Sequence, residues 1–127
     1  MKITSARILV VEDEAVMRTF TVNTLRRMGV QTIETCADGA SALKLVDSFK
    51  PDLVLTDIHM APMGGLEFVQ KLREHSNTAL RKTRVIFMSA DSSSATLEAA
   101  LPLGTFGYIV KPPRLETLQP KLEAALR

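Results

Sequence analysis

The stretch VLTDIHMAPMGG, residues 54–65, decides how this chain is read. It opens on β-branched and bulky apolar residues and closes that run on a single carboxylate, Asp57. One histidine, one proline and two glycines follow. A continuous apolar run bounded by turn residues is the pattern of a strand covered on both faces, as in a parallel sheet. A charge at the end of such a strand, before a bendable loop, stands where ligands gather in open α/β sheets.

Working outward, three further runs share this character: residues 8–11, 85–88 and 108–110. A more polar run at 32–36, with Ile33 among polar neighbours, reads as an edge strand. Helical stretches lie between them. Val16, Met17, Phe20, Leu25 and Met28 fall on one wide face of a first helix. Ala42, Leu43, Val46 and Phe49 do the same in a second, and Phe68, Val69 and Leu72 in a third. Asp38 before Gly39 predicts a helix start, and Gly29 and Gly104 predict helix ends. Five successive strand–helix pairs predict an α/β fold, a doubly wound parallel sheet with right-handed crossovers and helices on both faces.

Composition narrows the function classes. The chain has 127 residues, with 46% hydrophobic and 24% charged, which fits one globular domain over 1–127. Sixteen basic residues stand against 14 acidic ones, a net charge of +2. Arg81, Lys82 and Arg84 form the only tight basic cluster and read as a solvated strand entrance. A nucleic-acid surface usually carries a larger one-signed patch, so no nucleic-acid partner is expected. Cys36 is the only cysteine and reads as a small buried apolar residue, which fits a reducing cytoplasm. No apolar run approaches the ~20 residues of a membrane span, and no signal peptide is visible. A cytoplasmic location without membrane association is therefore expected.

The residues just past each strand carry the chemistry. Glu12, Asp13 and Glu14 follow the first; Asp57 ends the central one. Ser89, Ala90 and Asp91 follow the next, and Lys111 and Pro112 the last. Any one of these alone is an ordinary turn, cap or solvated charge. Together, at successive strand ends, they describe one acidic pocket. Carboxylates brought that close need a cation between them, and Lys111 or a bound divalent metal supplies it. An all-oxygen donor set points to Mg²⁺, with Mn²⁺ possible, over zinc. A carboxylate beside such an ion can attack phosphorus and form an aspartyl phosphate. Asp57 is the best nucleophile candidate because it follows the central strand alone and faces a flexible loop. Lys111 would offset charge on the phosphoryl oxygens, and the Ser89 hydroxyl could donate to one of them.

The segments ILVVEDEA, LVLTDIHM, VIFMSAD and GYIVKPP resemble the four signature segments of bacterial response-regulator receiver domains, in the single-domain form of chemotaxis regulators. The resemblance runs over essentially the whole chain. It implies a flavodoxin-like, five-stranded sheet of order 2-1-3-4-5 and a two-component signalling role. It makes Asp57 the phosphoacceptor and Asp13 a direct Mg²⁺ ligand. Glu12 becomes the partner acid, often acting through water, and the main-chain carbonyl of His59 a further ligand. Ser89 and Lys111 would contact the phosphoryl group. Tyr108 would be the aromatic of the switch, and Lys111–Pro112 a cis peptide. The implied partners are a histidine kinase or histidine phosphotransfer protein and a downstream protein target. The protein is expected to be no enzyme beyond its own phosphotransfer and dephosphorylation.

Four departures from the family pattern stand out. Ala61 takes the place of the usual proline, which moves to Pro62. Gly64 gives up a capping side chain, and the Gly64–Gly65 pair predicts a more mobile loop. Ser89 replaces the commoner threonine. His59, two residues past the phosphoacceptor, is expected to tune dephosphorylation by shielding the acyl phosphate or orienting water. Two prolines flank the last strand as well. Pro102 should end the preceding helix near Leu101. Pro120 should kink the last helix or sit in its first turn, with Thr117 as the cap. In relatives the surface of these two helices and the last strand is the usual dimer or partner face. An altered face is expected here, and a monomer or weak dimer.

Three other readings stay open on the residues. A Mg²⁺-dependent phosphohydrolase on a similar fold would place a second acid where His59 stands. A flavodoxin-like cofactor binder would need a hydroxyl- and glycine-rich phosphate loop where EDEA stands. A receiver that is a fragment of a hybrid kinase or larger regulator would look the same.

Overall fold

The computed structural model describes residues 1–90 and 98–127; Asp91, named above as a strand-end residue, lies outside them. Five strands form one sheet: β1 (Arg7–Val11), β2 (Thr32–Cys36), β3 (Leu53–Asp57), β4 (Arg84–Ser89) and β5 (Gly107–Val110). Their order is β2-β1-β3-β4-β5 and every pairing is parallel. This is the doubly wound order expected, with β2 at an edge. All five residues of β3 are buried.

Alternate strand residues feed two cores, one on each face of the sheet. Ile8, Val10, Leu53, Leu55, Ile86 and Met88 pack with Leu25 of α1 (Ala15–Arg27) and with Leu118 and Leu122 of α5 (Leu115–Ala125). Leu9, Val11, Val54, Val85 and Phe87 pack with Val46 of α2 (Gly39–Phe49) and with Phe68 and Leu72 of α3 (Gly65–Leu72). Strands that are apolar on both sides read as unbroken runs for this reason. Among the described residues, no helix is long and apolar enough to cross a membrane.

Local signals set the helix ends. The Asp38 side chain accepts from Ser41 N at 2.9 Å and caps α2. Gly29 (φ 93°) and Gly104 (φ 69°) both stand in the left-handed region just past a helical stretch. Residues 98–100 are helical and give way to a 3-10 turn at Leu101–Leu103, where Pro102 stands. A further turn of helix, α4 (Thr78–Arg81), interrupts the connection into β4. The Asn77 side chain caps it by accepting from Ala79 N and Leu80 N.

Two expectations are corrected. The buried face of α1 is Thr21, Thr24 and Leu25, whereas Val16 is 83% exposed and Phe20 40%. The threonines tolerate burial because their hydroxyls donate to Met17 O at 2.8 Å and Phe20 O at 2.9 Å. The last helix starts at Leu115 with Arg114 as its cap, not at Thr117, and continues through Pro120.

Candidate functional site

β1 and β3 are neighbours, so their carboxyl ends bring Glu12, Asp13 and Asp57 together. One carboxylate oxygen from each lies within 4.8 Å of the other two. Glu12 is fully buried, Asp57 is buried, and Asp13 is exposed. Lys111 follows β5 and reaches across the end of β4 into this group. Its Nζ stands 2.7 Å from Asp57 Oδ2 and pairs also with Glu12 Oε1. Lys111 N donates to Ser89 O at 2.9 Å, which extends the ladder between β4 and β5 by one residue. The Lys111–Pro112 bond is cis.

Each buried carboxylate is held from several sides. Asp57 Oδ1 accepts from Ile58 N at 2.7 Å and His59 N at 3.4 Å. Glu12 Oε2 accepts from Glu14 N at 3.1 Å. Burial pushes the Glu12 carboxyl above its ordinary value, against the opposing pull of Lys111. Burial alone would lower the Lys111 ammonium; Asp57 and then Glu12 overcome it, and the net shift is upward. The lysine therefore carries a full positive charge at neutral pH.

Asp13, Asp57, His59, Ser89 and Lys111 line a common cavity of about 250 Å³. His59 is exposed there, while Ser89 is fully buried. Tyr108 stands apart from the cavity. It packs against the core on the α2–α3 face, with its hydroxyl buried and, among the described residues, without a hydrogen-bond partner.

Three features escaped the sequence reading. Arg18, on the first turn of α1, donates from Nη1 to Glu12 O at 2.8 Å and fixes the loop that carries the acids. The Ala61–Pro62 bond is cis. Gly65 N donates to Ile58 O at 2.9 Å, and a Cβ on Gly65 would meet Asp57 O at 2.0 Å. A Cβ on Gly64 would meet Ile58 O at 2.8 Å. This glycine pair answers a need for close backbone approach, where loop mobility was expected. Gly64 caps α3 without a side-chain hydrogen bond, as the sequence suggested.

Three carboxylates with oxygen donors, two of them buried, suit a hard divalent cation of the Mg²⁺ type. The buried ammonium at the same point suits an anionic group added to Asp57.

Comparison with known proteins agrees with this geometry. The family model described as the response regulator receiver domain matches residues 8–123. The chemotaxis protein CheY1 of Helicobacter pylori (strain ATCC 700392 / 26695) is 34% identical over 121 residues, which cover 94% of this chain and 96% of that one. A protein-glutamate methylesterase/protein-glutamine glutaminase of Koribacter versatilis is 34% identical over 115 residues. That match takes in 88% of this chain but 30% of the relative, so the chain spans under a third of that longer protein. The solved structure of chemotaxis response regulator CheY4 of Vibrio cholerae superposes with a TM-score of 0.84 at 30% identity. It covers 95% of this chain and 98% of that one. With the sheet order, the acidic cluster and the paired lysine all in place, the chain belongs to the response regulator receiver domain family.

Proposed function

We propose that residues 1–127 act as one receiver that accepts a phosphoryl group on Asp57 from a phosphohistidine. The donor is a histidine kinase or a histidine phosphotransfer protein. The observation that carries this reading is the convergence on one carboxylate. Lys111 Nζ and two backbone amides grip Asp57, and Glu12 and Asp13 stand beside it.

In the transfer, a carboxylate oxygen of Asp57 forms the new O–P bond. The phosphorus–nitrogen bond of the donor breaks, and the imidazole nitrogen keeps the electron pair. Asp13, Glu12 and Asp57 are the side chains that would hold Mg²⁺, with the His59 main-chain carbonyl completing the protein ligands. When bound, the ion would neutralise charge on the transferring oxygens. Lys111 contributes a second positive charge from a fixed position. Ser89, buried at the end of β4 and lining the cavity, is the hydroxyl that would donate to the phosphoryl group. Tyr108, on β5 beyond the cavity, is the candidate for relaying the change to a protein-binding face. The output is a contact with a downstream protein or onward transfer of the phosphate, by a monomer or weak dimer.

The test is labelling with acetyl phosphate and Mg²⁺ in wild type and Asp57→Asn. Label confined to the wild type is the expected result. Equal labelling of both proteins would overturn the assignment.

A further inference from the structure

The cavity at Asp57 is not the largest one. At the opposite, amino-terminal ends of β3, β4 and β5 lies a cavity of about 730 Å³. Its lining includes Lys50, Arg73, Lys82 and Arg84 against one acid, Asp52. The acid is partly spoken for, since its Oδ2 accepts from Arg7 N at 2.8 Å. Phe106 lines the same space and is 52% exposed.

Arg73 gives this cavity a built element. Its guanidinium is held by backbone carbonyls: Nε donates to Leu103 O at 2.8 Å, and Nη1 to Thr83 O at 2.6 Å and Arg81 O at 3.0 Å. Nη2 makes only a long contact, 3.4 Å to Gly104 O. Among the described residues no carboxylate forms an ion pair with Arg73. Desolvation alone accounts for the downward shift of its pKa. A fixed, half-buried cation with spare donor capacity, without an acid of its own, is a preorganised place for an anion. Lys82 and Arg84 are exposed at the entrance to β4 and add mobile positive charge.

We propose that this cavity binds a nucleoside phosphate, with the phosphate against Arg73, Lys82 and Arg84 and the base on the Phe106 ring. The volume falls within the roughly 300–1,000 Å³ of small-ligand sites. Aromatic faces accept any nucleobase by stacking, so the site selects a planar ring with an attached phosphate more than a particular base. It is separate from Asp57 and independent of phosphotransfer there.

The test is a titration of the ¹⁵N-labelled chain with AMP in Mg²⁺-free buffer, alongside adenosine and inorganic phosphate. Saturable amide shifts at Gly104, Phe106 and Arg84 are expected, with AMP binding at least about tenfold tighter than either fragment. Phe106→Ala, and separately Lys82→Glu with Arg84→Glu, should each weaken AMP by about tenfold or more. These side chains are exposed enough to leave the fold intact. Asp57→Asn should bind AMP as the wild type does. Shifts confined to the Asp57 cavity, no saturable shift at millimolar AMP, or indifference to both variants would overturn the site. Equal affinity for phosphate and AMP would overturn the role of Phe106.

Discussion

Lys111 Nζ stands 2.7 Å from Asp57 Oδ2 while the same ammonium pairs with Glu12. One cation thus balances two buried acids drawn from two different strands. Removing it leaves both carboxylates without their ammonium partner, held by backbone amides. Lys111→Met should lower stability at pH 7 in metal-free buffer by roughly 3 kcal/mol. Mg²⁺ should restore more stability to the variant than it adds to the wild type, because the ion replaces the lost charge. Urea unfolding with and without millimolar Mg²⁺ measures both effects. Equal responses to Mg²⁺ would show that Lys111 does not balance the acids proposed to hold the ion.

Gly65 leaves no room for a side chain against the Asp57 carbonyl. Gly65→Ala must displace either the start of α3 or the end of β3, at a cost of about 2–3 kcal/mol, the scale of overpacking. Because the displaced carbonyl belongs to Asp57, the proposed phosphoacceptor, labelling by acetyl phosphate should slow by about tenfold or more. A stable variant that labels at the wild-type rate would mean that the loop can yield without moving Asp57.

Burial pushes the Cys36 thiol up to about 12, with Asp38 adding to the shift. Its folded value lies above the unfolded one, near ~8.5. The neutral thiol therefore contributes fully below pH about 8.5, and that contribution is lost as pH rises toward the folded value. Lys111 also has a raised value, but its loss begins only above about 10.4. Between pH 8.5 and 9.5 the wild type should lose about 1 kcal/mol more than Cys36→Ala. Urea unfolding of the two proteins at both pH values measures the difference. The thiol should likewise react slowly with disulfide reagents at pH 8.

Pro120 interrupts the hydrogen bonding of α5 at an exposed position. It has no N–H for the Glu116 carbonyl, and its ring crowds that carbonyl. Pro120→Ala should raise stability by about 1–3 kcal/mol, read as a higher urea midpoint at unchanged slope. A fall in stability would show that the ring itself makes a contact worth more than the missing bond.

The strands were legible because every residue of β3 and nearly all of β1 and β4 are buried, and all of those buried residues but Thr56, Asp57 and Ser89 are apolar. The strand-end acids, hydroxyl and lysine were legible because parallel topology forces them to one edge. Apolarity alone does not mark the buried face of α1. Thr21 and Thr24 bury their hydroxyls by bonding to the helix's own carbonyls, while Val16 and Phe20 stay in solvent. Gly65 and Arg18 act on carbonyls that are distant in the chain or carried on another element, and no local pattern marks such contacts. The cis bond before Pro62 depends likewise on tertiary surroundings.

β5 is an edge strand held by β4 alone along its backbone. The Lys111 side chain fastens that edge to β3, two strands away. Edge strands fray most readily, so the charge at Asp57 should govern how often β5 opens. Amide exchange at Ile109 and Lys111 would then serve as a clock for events at the acidic pocket, readable without any label on Asp57.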